Sequence, residues 1–234
     1  MKKKIYVGFI PGMIFLYATA FGQTNESEFD KIKKDTLTTK SYLGLVLNLV
    51  TTNLNYGNAN GTLTDNKKSI LGGQLGLSFQ AGITPRFSMV SEFYFIMKGG
   101  SLEADNSSSI KNTTLRLYTF ELPVLARYQV GKFYMNAGPS IAYNFYGTRK
   151  TEEVSSDLSF KNSSDGFKRW DAGVQVGAGY RFKIKQKHVA LDVRYSYGLT
   201  NISYDKEIYN RYLNINLTFT KIWKSNPLGN KSRS

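Results

Sequence analysis

Residues 115–146 read LRLYTFELPVLARYQVGKFYMNAGPSIAYNFY, two pleated runs on either side of Gly131-Lys132. In the first run Tyr118, Phe120, Leu122, Val124, Ala126 and Tyr128 share one face, with Glu121 and Arg127 on the other. In the second, Phe133, Met135, Ala137, Ile141 and Tyr143 oppose Asn136, Gly138, Ser140 and Asn144. A period of two is the signature of a β-strand, because successive side chains point to opposite faces of the pleat. A break as short as Gly131-Lys132 joins such strands as a tight hairpin.

The same alternation recurs along the chain, predicting eight strands at about 41–51, 70–82, 87–98, 115–130, 133–146, 167–183, 188–199 and 210–222. Their connections alternate in length. Long polar stretches at 51–69, 99–113, 147–166 and 200–209 alternate with tight ones at Thr84-Pro85-Arg86, Gly131-Lys132 and Lys185–His188. This rhythm predicts an all-β chain: an eight-stranded antiparallel transmembrane up-and-down β-barrel with short periplasmic turns and four long external loops. A soluble barrel would alternate too, with its apolar face turned inward, and periodicity alone does not say which face is outward. The aromatic residues decide between them. Tyr118, Tyr128, Tyr143, Trp170, Tyr180, Tyr195 and Tyr197 lie on the apolar faces towards strand ends, where interfacial anchors of a membrane barrel are expected.

The start of the chain agrees with export. Lys2, Lys3 and Lys4 precede an apolar core from Ile5 to Tyr17, and small residues follow, so 1–22 read as a signal peptide cleaved between Ala20 and Gln23. That core is too short and too broken by Pro11, Gly8 and Gly12 to span ~30 Å of hydrocarbon as a helix. Residues 23–40 form a polar periplasmic lead-in, 41–222 the barrel, and 223–234 a polar tail. The chain has no cysteine, which excludes disulfides, thiolate catalysis and a lipid-anchored amino terminus. Its net charge of +14 would suggest nucleic acid in a cytosolic protein. In an exported one, anionic headgroups and lipopolysaccharide phosphates are the expected counterions.

Several segments carry a family likeness. Ser91-Glu92-Phe93-Tyr94 with Lys98-Gly99, Glu121-Leu122-Pro123-Val124-Leu125-Ala126-Arg127-Tyr128 and Asn136-Ala137-Gly138-Pro139 are three of them. Asp171-Ala172-Gly173, Gly177-Ala178-Gly179 and the run Arg194–Ile202 are others. Over about 41–222 the chain resembles the PorT-like outer-membrane β-barrel family of Bacteroidetes. The resemblance implies the barrel fold and an outer-membrane location. Founding members of that family assist protein secretion across the outer membrane, so it also admits secretion-machinery partners.

The polar faces carry charges of both signs: Glu92, Glu121, Asp171 and Asp192 against Arg127, Arg181 and Arg194. Eight strands leave an interior that side chains fill, and enclosed charges must pair. Three readings are open: a salt-bridged plug that fixes barrel shape, a gated ion or proton path, and a catalytic carboxylate pair. Counting outward from the Lys185–His188 turn, Arg181 and Asp192 are expected to form a cross-strand ion pair. His188, the one histidine, reads as a turn residue. No catalytic residue, cofactor or metal site is expected, and no nucleic acid. The functions left are a structural, interaction or secretion-assembly barrel, a narrow conduit, or a lipid A-modifying enzyme. The chain is expected to act as a monomer among outer-membrane lipids and lipopolysaccharide.

Overall fold

The computed structural model describes residues 41–57, 66–103, 111–184 and 187–222; the leader 1–22, the lead-in 23–40 and the tail 223–234 lie outside them. Ten strands form: β1 (Tyr42–Tyr56), β2 (Lys67–Lys68), β3 (Ile70–Gly82), β4 (Phe87–Leu102), β5 (Thr113–Val130), β6 (Phe133–Thr151), β7 (Val154–Asp157), β8 (Trp170–Ile184), β9 (Lys187–Gly198) and β10 (Ile208–Ile222). Eight of them run around a ring in the order β3-β1-β10-β9-β8-β6-β5-β4, and β4 pairs back onto β3 to close it. Every neighbouring pair is antiparallel, including the closing pair of first and last strands, which runs from Tyr42 opposite Ile222 to Tyr56 opposite Ile208. The short β2 extends the edge of β4, and β7 folds back on β6. Closure leaves the eight strands of the ring without a free edge, which is the condition for a sheet to exist in hydrocarbon at all.

Exposure settles which face is outward. Leu49 and Leu71 are 69% and 73% exposed, whereas Glu92 and Arg194 are 1% exposed. The apolar face points out and the charged face in, the reverse of a soluble barrel.

Tight connections lie at one end, between Gly82 and Phe87, Val130 and Phe133, and Ile184 and Lys187. Tyr42 and Ile222 lie at that same end. At the other end the strands run further than the expected loop boundaries. β1 continues to Tyr56, β4 to Leu102 and β6 to Thr151, while β8 starts at Trp170 rather than 167. The reason is an inversion of polarity. At this end Leu54, Tyr56, Leu115, Leu117 and Ile208 point inward and are buried, while Asn53, Asn55 and Arg116 face out. Beyond the lipid the outer surface meets water, so the wall becomes that of a soluble barrel and the apolar-out pattern vanishes.

Two local features adjust the wall. The β4–β5 pairing skips from Ser91–Val124 to Tyr94–Glu121, at Pro123, which has no N–H to offer the ladder. Between Tyr118 and Thr119 the β5–β6 register shifts by one, so Phe145 is a bulged residue. Phe145 and Tyr146 therefore both face outward, and the next residue, Gly147, turns in.

Candidate functional site

The interior is filled in three layers along the barrel axis. Nearest the short turns, Arg194 of β9 donates through Nη1 to Glu92 Oε2 (2.5 Å) and through Nη2 to Glu92 Oε1 (3.0 Å). Glu92 sits on β4, four places from β9 in the ring of eight, so this fork spans the full width of the lumen. Bidentate guanidinium–carboxylate pairs are among the strongest hydrogen-bonded contacts available to side chains. The Nε of the same guanidinium donates to Asp192 Oδ1 at 2.8 Å. Asp192 also accepts from Tyr134 Oη (2.6 Å) and Asn216 Nδ2 (2.7 Å). Arg127 lies 3.9 Å from Asp192, over the Tyr134 ring, and donates to Gln80 Oε1 at 3.2 Å.

The second layer is built on Lys98, whose Nζ lies 3.0 Å from Asp171 and 3.5 Å from Glu121. Asp171 accepts from Asn210 Nδ2 (2.6 Å) and Thr200 Oγ1 (2.9 Å). Glu121 accepts from Tyr212 Oη at 2.6 Å, again across the ring from β10 to β5. Gln175 Nε2 fills the middle, within 2.7–3.0 Å of Tyr94 Oη, Glu121 Oε1 and Tyr212 Oη. The cavity beside Lys98, Glu121 and Asp171 is about 10 Å³, room for no more than a single water.

Above these layers sits an apolar cap. Leu54, Tyr56, Leu115, Leu117 and Ile208 of the wall pack with Leu158, Phe167 and Ile202 from the two connections 152–169 and 199–207. The connections are fixed by backbone bonds: Leu158 N to Gly147 O (2.9 Å), Phe167 N to Ser159 O (2.8 Å) and Lys168 N to Ile202 O (2.7 Å). Asn201 Oδ1 accepts from both Ser203 N and Ile208 N at 3.0 Å, holding the turn that drives Ile202 inward. Gly147 lets Leu158 pack close, since a Cβ on it would lie 2.7 Å from Leu158 Cδ1 and push that side chain aside. Burial pushes the Tyr56 phenol up to about 12, partly offset by Arg149.

Glu92, Asp192, Arg194 and Arg127 thus meet in one layer, Glu121 and Asp171 in the next. The expected Arg181–Asp192 pair does not form. Arg181 stands opposite Ala190 and Asp192 opposite Gly179, because the strands pair as far as Ile184–Lys187 and only two residues join them. The shorter turn slides the register by two, and Arg181 Nη2 donates instead to Gln80 Oε1 at 3.0 Å. For the same reason His188 belongs to β9, opposite Thr220, with its ring 5.6 Å from that of Tyr42. Lys98 was absent from the expected network, yet it shares even-numbered parity with Glu92 on one strand. Leu158 and Ile202 carry no periodic signal, being single apolar residues in polar stretches, and Phe167, expected to open the sixth strand, lies in the connection before β8.

Of the aromatic residues, Tyr128, Trp170, Tyr195 and Tyr197 are exposed on the outer wall, and Tyr118, Tyr143 and Tyr180 are half-buried against neighbours there. Tyr143 meets Trp170 at 5.0 Å and Tyr180 meets Phe133 at 4.8 Å. Among the described residues no group of three or more His, Asp or Glu is arranged to hold a metal ion.

A closed eight-stranded barrel, apolar outside and salt-bridged within, defines a transmembrane protein of the outer-membrane type. The chain belongs to the outer membrane protein beta-barrel domain family, whose model matches residues 21–204, and so resides in the outer membrane. It is similar to the crystal structure of Neisserial surface protein A (TM-score 0.44, 11% identity, 77% of this chain and 97% of that one). It is also similar to Ail of Yersinia pestis (0.41, 8%, 77% and 99%) and to OprG from Pseudomonas aeruginosa (0.41, 10%, 80% and 97%). No curated protein matches the chain.

Proposed function

We propose that this is a sealed, non-enzymatic barrel of the PorT-like kind, exported by residues 1–22, that serves as a structural or interaction component of an envelope or secretion assembly. Its short turns, lead-in and tail face the periplasm, and its capped end faces out among lipopolysaccharide. It acts as a monomer anchored by its aromatic belts. The observation that carries this reading is the Arg194–Glu92 fork across the lumen, lying beneath an apolar cap. Such a filled interior supports neither bulk diffusion nor access of a substrate to a carboxylate. The ordered cap, with β7 pinned to β6, offers a rigid surface to a partner.

A photo-crosslinker at the exposed Val154 in intact cells tests the partner role. A discrete protein adduct from that position, absent when the probe stands at lipid-facing Leu49, is expected. Adducts equal at both positions would contradict it.

A narrow conduit is the second reading, and one observation favours it. Both amide atoms of Asn48 and Asn136, together with Gln74 Nε2, Asn214 Oδ1 and Asn216 Oδ1, are buried without a hydrogen-bond partner. Asn48 faces Gln74 and Asn216 across its two strand pairings, so three of these amides share one stretch of wall suited to water. A conduit would require the cap to lift.

A further inference from the structure

Charge is unevenly divided between the two polar layers. The layer at Lys98 holds two carboxylates on one lysine. The layer near the short turns holds two carboxylates, Glu92 and Asp192, with three guanidiniums, Arg127, Arg181 and Arg194. Arg194 engages both acids, and Arg127 reaches Asp192 only at 3.9 Å. Among the described residues Arg181 has no carboxylate within 4.0 Å; its one acceptor, Gln80 Oε1, is shared with Arg127. Its guanidinium lies over the Tyr42 ring at 5.3 Å.

Arg86, in the turn between β3 and β4, is likewise without a carboxylate partner among the described residues. Arg86 and Arg181 line a common cleft of about 300 Å³ at the short-turn end, together with Tyr42, Gln80, Ser88 and Gln129, and among the described residues no acid lines it. Among the described residues the Tyr42 phenol makes no hydrogen bond, so it adds a neutral donor. Two guanidiniums and a phenol lining one half-enclosed cleft are the donor set of an anion site. Planar guanidiniums match the two oxygens of a carboxylate or phosphate, and partial enclosure strengthens the attraction over that in open water.

We propose that this cleft binds the anionic group, a carboxylate or a phosphate, of a ligand presented at the short-turn face. This goes beyond the sealed-barrel reading, and a conductance measurement bears on the seal without touching the cleft. Two sources share the chemistry: the free carboxy terminus of a peptide, and a phosphate.

The test uses the full chain folded in a zwitterionic detergent, with the Arg Nε–H signals followed by NMR. Probes are inorganic phosphate, acetyl-trialanine with a free carboxylate, and the same peptide as its carboxy-terminal amide. Saturable shifts of the Arg181 and Arg86 signals are expected with an anion and not with the amide. Arg86→Gln, on an exposed turn where folding is not at stake, should weaken binding about tenfold, the loss of one charge-assisted contact. Arg181→Gln should abolish it. Response to the peptide alone assigns a carboxylate ligand and response to phosphate alone a phosphate ligand. Silence of both signals at tens of millimolar anion, an equal response to the amide, or unchanged binding in Arg86→Gln would overturn the proposal.

Discussion

Arg194 shows what a single buried charge does here. Its guanidinium is fully enclosed and satisfied on both sides by Glu92 and Asp192, so it is stable only while both acids stay in place. Arg194→Ala removes the one cation paired with Glu92 among the described residues and the closest one to Asp192, and should lower stability by about 3–5 kcal/mol, read as a fall in the urea midpoint of the folded barrel. The triple exchange Arg194→Met, Glu92→Leu, Asp192→Leu removes charge and partners together and should cost markedly less. Arg181 sits in contrast, half-buried and holding one amide oxygen. Arg181→Ala should move the midpoint by less than about 1 kcal/mol, the value of one ordinary hydrogen bond. Glu92, Asp192 and Arg194 share even parity and are buried in the lumen. What parity cannot give is register, which the number of residues in the turn sets. That is why the Arg181–Asp192 pair expected from the sequence is replaced by Arg181–Gln80.

At the scale of elements, the change of polarity along each strand explains both what the sequence reveals and what it hides. Where the wall faces lipid, apolar residues at every second position mark the strands clearly. Above that level the inward residues become apolar and the outward ones polar, so Leu54, Tyr56, Leu115 and Leu117 read as irregular ends. The connections 152–169 and 199–207 then supply the rest of the cap through isolated residues. Phe167→Ala should open this cap without unfolding the barrel. Proteolysis within 152–169 should quicken, while the urea midpoint shifts much less than the roughly 3–5 kcal/mol typical of a buried Phe→Ala change in a cooperative core. The cap should also loosen in alkali. Tyr56 lies beyond the lipid-facing part of β1 and stays neutral in the folded state to about 12, against an ordinary value of 10.0. Below pH 10 both states keep the proton and its contribution is intact. Between pH 10 and 12 the unfolded state loses the proton first, and up to roughly 2–3 kcal/mol is lost. Thermal midpoints at pH 9 and 11 should therefore fall further for the native chain than for Tyr56→Phe; equal falls would show that the phenol is not held neutral.

The whole molecule combines an outer surface made for lipid with an interior whose polar side chains are buried against one another. Two contacts across the ring, the Arg194–Glu92 fork and the Tyr212–Glu121 hydrogen bond, join opposite walls, so the barrel cannot widen without breaking charge-assisted bonds. Side chains fill an eight-stranded barrel, whereas aqueous pores are built from about sixteen strands or more. The central claim, that the lumen is sealed by these contacts and by the cap above them, is tested most directly by single-channel recording in planar bilayers. The native barrel should give no steady conductance, and Arg194→Ala combined with Phe167→Ala should give at least brief openings. A stable open level in the nanosiemens range from the native protein would contradict the account.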